Sequence, residues 1–159
     1  MSMRAPDIMT ICRRHVGIWH GQYRHFDTGG AEIDAHASEI VNAFPQEGPF
    51  AYVQTSRFFW PDGRSEEHVF PGTLRDNRLH WATERLTGTA FTSADAPEAL
   101  FLRFARVDLP GTEILEMIEI GQAAGVRMRT WQWTQGGQPF RRTLVDERRI
   151  SRETEAKQL

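Results

Sequence analysis

Cysteine occurs once, as Cys12, so an internal disulfide, a thiolate zinc site and a CxxC redox pair are all excluded. That usage fits a reducing compartment, and the expected location is cytoplasmic. Lysine also occurs once, as Lys157 in the charged C-terminal stretch, which leaves no interior amine for Schiff-base chemistry. No run approaches the ~18 apolar residues of a membrane span, and MSMRAPDIMTICRRHVG contains no continuous apolar signal segment. A GxSxG elbow, a P-loop, a GxGxxG turn and a HExxH pair are all missing, and the balance falls toward a binding protein rather than an enzyme. Neither sign of charge dominates: 19 Lys and Arg face 21 Asp and Glu, a net charge of −2. This argues against a nucleic-acid partner or a polybasic membrane anchor.

What remains is a chain of 159 residues with 40% apolar, 25% charged and 11% aromatic side chains, enough to bury ~70% of its unfolded surface as one globular domain. Short runs rich in Val, Ile, Phe, Trp, Tyr and Thr recur between Gly, Pro, Asn and Asp, without a sustained helical period. They predict strands over 16–27, 32–43, 50–60, 65–70, 72–75, 79–85, 87–93, 99–107, 113–122, 126–134 and 139–150. Compact turn sequences join them: Asp27-Thr28-Gly29-Gly30, Pro61-Asp62-Gly63, Asp76-Asn77, Ala124-Gly125 and Gly136-Gly137. Connections this short make successive strands antiparallel neighbours. The expected fold is therefore all-β, an antiparallel up-and-down barrel of about 8–10 strands, because closure removes exposed edges. Residues 1–15 form a short helical leader, 16–150 the barrel and 151–159 a polar tail.

The first long strand opens Gly17-Ile18-Trp19-His20-Gly21-Gln22-Tyr23, which resembles the GxW signature of lipocalins and other calycin barrels, with Gly17, Trp19 and Gly21 as its structural residues. The fuller stretch through Asp27 and Gly30, with Phe59-Trp60-Pro61-Asp62-Gly63-Arg64-Ser65-Glu66-Glu67, resembles the bacterial calycin-like domain of unknown function 3598. The resemblance implies a barrel plugged at one end by its leader, with a cavity for an apolar or amphipathic small molecule. It brings no catalytic residue and no cofactor. It also implies an arginine laid over Trp19, for which Arg141, Arg142, Arg148 and Arg149 of the last strand are candidates. Nitrobindin-like barrels share the GxWxG opening but bind haem through a late histidine, and no histidine follows His80 here.

A period of two places Trp19, Gly21, Tyr23 and His25 on one strand face, expected to point inward. Six histidines invite a metal reading, but His15, His20 and His25 lie five apart and alternate in facing, so no metal site is expected. Over 126–133, Arg127, Arg129, Trp131 and Trp133 share one face and Met128, Thr130 and Gln132 the other. Either the arginines and indoles enter the cavity and hold an acid, or they form an outer wall with Met128 in the core. Arg57 and Glu67 can meet across the 61–63 hairpin, exposed or as a polar spot in the cavity. The leading expectation is a small apolar or amphipathic ligand, such as a fatty acid, aromatic acid or isoprenoid, lined by Tyr23, His25, Arg57, Arg129, Trp131 and Trp133. One alternative is a barrel enzyme, an isomerase, hydratase or bilin-lyase-like protein, pairing Glu67 or Glu116 with His25 or Tyr23. The other is a module that self-associates, for instance as a homodimer, through Trp131 and Trp133.

Overall fold

The structure, a computed structural model, describes residues 3–123 and 125–154. A short helix, α1 (Ile8–Arg13), precedes ten strands: β1 (Gly17–Asp27), β2 (Glu32–Ala43), β3 (Tyr52–Phe59), β4 (Ser65–Arg75), β5 (Arg78–Ala82), β6 (Leu86–Phe91), β7 (Leu100–Arg106), β8 (Thr112–Ile120), β9 (Val126–Gln135) and β10 (Gln138–Ser151). Each strand pairs antiparallel with its sequence neighbour, and β10 returns to β1, so the barrel closes. The up-and-down order puts all connections after odd-numbered strands at one end. That end is the open mouth, while α1 packs at the other.

Two sequence expectations shift. The separate strands over 65–70 and 72–75 are one strand, β4, running through Pro71. It pairs with β3 along 65–72 but with β5 only at Thr73, Leu74 and Arg75, so Pro71 has an unpaired side where a missing N–H costs no ladder bond. The strand expected over 79–85 stops at Ala82, because the Thr83 hydroxyl accepts from the Arg85 and Leu86 amides at 3.2 and 3.1 Å and turns the chain. Of the Ala124-Gly125 turn, Ala124 lies outside the described residues, as do 155–159 of the expected tail.

Asp7 caps α1, accepting from the Thr10 amide at 2.9 Å. The β4–β5 turn holds the helix: Asp76 and Asn77 both adopt positive φ (52° and 55°), the twist a two-residue hairpin requires. Asn77 accepts from the Ile8 amide at 2.8 Å and donates to the Pro6 carbonyl at 3.0 Å. Ile8, Ile11 and Cys12 then bury against Tyr52, Leu79, Trp81 and Leu100, filling that end of the barrel.

Beside the plug, Trp19 is fully buried and donates its indole N–H to the His15 carbonyl at 2.9 Å. Arg149 is the last-strand arginine over its ring, at 4.4 Å. Arg127 from β9, which the sequence reading did not offer for this role, lies over it at 4.1 Å.

Candidate functional site

Between the plug and the mouth the interior is crossed by four charged side chains. Arg127 and Arg129 of β9 meet Glu147 of β10, and Arg129 also meets Glu116 of β8 at 3.3 Å. All four are essentially inaccessible to water. Gly21 makes the layer possible: a Cβ there would lie 2.7 Å from Glu147 Cγ and 2.6 Å from the Asp146 carbonyl. Asn42 accepts from Arg127 at 2.7 Å and Gln54 from Arg129 at 3.1 Å. Burial pushes Arg127 down to about 10, opposed by Glu147, so it stays cationic at neutral pH. Burial also opposes the charge of Arg129, but Glu147 and Glu116 more than offset it. Burial raises the Glu116 carboxyl, with Arg129 and the Trp131 indole N–H acting against it. His15, facing Arg127 from the helix side, is held neutral by burial and by that arginine.

Above this layer lies a cavity of about 270 Å³, floored by Gln54 and Glu116. Its walls are aromatic. Tyr23 stacks on His36 at 4.9 Å and meets Phe58 and Trp131 edge-on at 5.0 and 5.6 Å. Trp133 and Phe104 continue the ring contacts around Trp131. Asp34, Glu66, Arg85, Arg106 and Arg141 also line it, toward the mouth. Arg106 is held by Asp108 at 2.6 Å, and Arg85 lies 3.8 Å from the same carboxylate. Arg141 differs. It sits over Trp133 at 5.1 Å, and its buried Nε has no protein hydrogen-bond partner among the described residues.

The expected lining divides accordingly. Tyr23, His25, Trp131 and Trp133 reach the cavity, with β1 facing as its period of two predicts. The arginine–tryptophan face of β9 points inward and Met128 outward, 47% exposed, which overturns the outer-wall alternative and takes Trp131 and Trp133 away from any surface interface. Arg129 lies beneath the floor, its charge already matched. Arg57 is on the outer wall, bonded to Glu67 and Glu39 at 2.6 Å each, because Gln54, Ser56 and Phe58 take the inward positions of β3. The proposed acid/base pairs do not form: Glu67 is outside, and no hydrogen bond joins a carboxylate to His25 or Tyr23 among the described residues.

Three residues of the site are missing from the expected lining: Arg141, offered only as a cover for Trp19, and Asp34 and His36. The β1–β2 hairpin pairs Tyr23 with His36 and His25 with Asp34, so His36 joins the inward face of β1. Spacing along one strand cannot reveal this; counting outward from the Asp27–Gly30 turn can. His25 Nε2 lies 3.1 Å from His36 Nε2, while His25 Nδ1 meets the Thr143 hydroxyl at 2.8 Å. Burial, then His36 and Arg141, pushes His25 down to about 4, and burial lowers His36 too, so both imidazoles are neutral at pH 7.

No family model matches the chain, and neither does any curated protein. Solved structures do. A DUF3598-family protein of unknown function from Nostoc punctiforme superposes with TM-score 0.68 at 18% identity, over 87% of this chain and 49% of that one. This chain thus spans about half its length. The S-type phycobiliprotein lyase CPES from Guillardia theta superposes with TM-score 0.70 at 13% identity, covering 96% and 95% of the two chains. The fold is a calycin-like barrel. Rv2717c from M. tuberculosis, with TM-score 0.57 at 15% identity over 92% and 99%, is similar to this barrel as well. At these identities the likeness speaks for architecture. Among the described residues no helix of the barrel is long and apolar enough to cross a membrane.

Proposed function

We propose that the barrel binds a small amphipathic molecule in its outer half, and that an aromatic carboxylic acid is the class it suits best. The observation that carries this reading is an aromatic-walled cavity with one buried guanidinium nitrogen, Arg141 Nε, left without a hydrogen-bond partner among the described residues. Indole, phenol and phenyl faces supply apolar area for a ring, and a carboxylate supplies the acceptor that Arg141 lacks. Size narrows the class. About 270 Å³ lies at the lower edge of the ~300–1,000 Å³ of small-molecule pockets, which favours one or two rings over a long acyl chain or isoprenoid. The calycin-like architecture is compatible with this use. An enzymatic reading has no comparable support, since the carboxylates proposed for it are outside or already bonded to Arg129 and Trp131.

The test is a panel of aromatic acids and their methyl esters, titrated against tryptophan fluorescence. An acid should bind better than its ester, and Arg141→Met should weaken the acid about tenfold to a hundredfold, the value of a ~1.5–3 kcal/mol charge-assisted hydrogen bond. Equal binding of acid and ester, or full affinity in Arg141→Met, would sink the proposal.

A further inference from the structure

His25 and His36 face each other on neighbouring strands with Nε2 atoms 3.1 Å apart, and the Asp34 carboxylate lies within 4.8 Å of both. We propose that His25, His36 and Asp34 form a binding site for one divalent transition-metal ion at the mouth of the cavity. The separation of the two nitrogens fits a shared ion. Two ligands each ~2.0–2.1 Å from a metal and 3.1 Å from one another subtend about 100° at it, between octahedral and tetrahedral values.

The outer contacts orient the lone pairs the same way. His36 Nδ1 points to the Ala37 carbonyl at 3.4 Å, an acceptor only, so Nδ1 carries the hydrogen and Nε2 presents its lone pair. Thr143 Oγ1 accepts from the Trp133 indole N–H at 2.9 Å; at 2.8 Å from His25 Nδ1 the hydroxyl either donates to that nitrogen or accepts from it, and a metal on Nε2 selects the tautomer in which Nδ1–H donates. In that tautomer His25 Nε2 also presents a lone pair, and an ion between the rings replaces repulsion with two bonds. Each ligand thus has the second partner that metal-bound side chains ordinarily keep, Asp34 through the Trp60 indole N–H at 3.2 Å. Two imidazoles and one carboxylate with further positions open to the cavity suit Zn²⁺ or Fe²⁺.

The inference goes beyond the organic ligand and does not require it. Chelator-cleared protein is titrated with Co²⁺ followed by visible absorption, and with Zn²⁺ by calorimetry, with no acid present. One ion per chain is expected, with His36→Gln weakening binding by at least ~100-fold, Thr143→Val by ~10-fold, and outward-facing His20→Gln having no effect. Asp34 is exposed, so Asp34→Asn keeps the test decisive if a histidine variant does not fold; it should weaken Zn²⁺ at least ~10-fold. Absence of saturable Co²⁺ or Zn²⁺ binding, or binding indifferent to both Asp34→Asn and His36→Gln, overturns the proposal. Aromatic-acid uptake measured in EDTA reports on the cavity reading separately.

Discussion

Glu147→Gln is the substitution that most directly tests the buried charge layer. The wild-type quartet holds two guanidiniums and two carboxylates, with Glu147 touching both arginines. Neutralising it leaves Arg127 and Arg129 facing only Glu116, whose carboxyl burial already biases toward the neutral form. Breaking a buried pair from one side costs about 3–5 kcal/mol, because an uncompensated charge stays in a dry site. Against the ~5–15 kcal/mol stability of a typical domain this is a large fraction. With an m-value near ~2 kcal/mol/M, the urea midpoint should fall by roughly 2 M. The double variant Arg127→Met/Glu147→Gln restores one cation against one anion, so it should be more stable than Glu147→Gln alone by at least ~1 kcal/mol. A loss below about 1 kcal/mol for the single variant at unchanged m, or a double variant no better than the single, would refute the argument.

Acid should destabilise the barrel through its neutral histidines. His25 is held near 4 in the fold against ~6.5 in the unfolded chain, so below about pH 6.5 the unfolded state takes up a proton that the fold refuses. Stability should then drop by up to ~3 kcal/mol as pH falls toward 4, His15 adding to the slope; urea titrations from pH 7.5 to 4.5 measure it, and a flat profile contradicts it. Gly21→Ala forces a methyl group against the Asp146 carbonyl and Glu147, and an overpacking loss of about 1–3 kcal/mol should lower the melting temperature by several degrees. An unchanged melting temperature would mean that Glu147 and the Asp146 backbone shift without cost, and would refute the clash.

Much of the architecture is legible because it follows from local pattern. β2 falls on residues 32–43 as the alternation predicts, and β1 turns Trp19, Tyr23 and His25 inward because a period of two leaves only one alternative. β9 is different. Its two faces, Arg-Arg-Trp-Trp and Met-Thr-Gln, are both mixtures of apolar and polar groups, and pattern cannot rank them. The choice depends on Glu147 and Glu116, which pairing with β10 and β8 brings level with Arg127 and Trp131. Arg57 shows the converse: Glu39 and Glu67 flank it on the outer wall, so its charge is satisfied there without burial. Arg149 over Trp19 could be narrowed only to four arginines, because the register of β10 against β1 closes the barrel across the whole chain length.

The charge layer also determines which way round a ligand can sit. Arg127 and Arg129 reach across the barrel to Asn42 of β2 and Gln54 of β3, and α1 packs at the end behind them. Among the described residues the aromatic-walled cavity lies in the outer half. Its floor presents Glu116 and Gln54, with the nearest arginine already neutralised, whereas the rim presents Arg141. A carboxylate driven to the floor would meet Glu116 with its arginine already matched, whereas at the rim, which also carries Asp34 and Glu66, the Arg141 Nε–H is the donor open to it. The proposed acid therefore enters ring first, with its head beside Arg141.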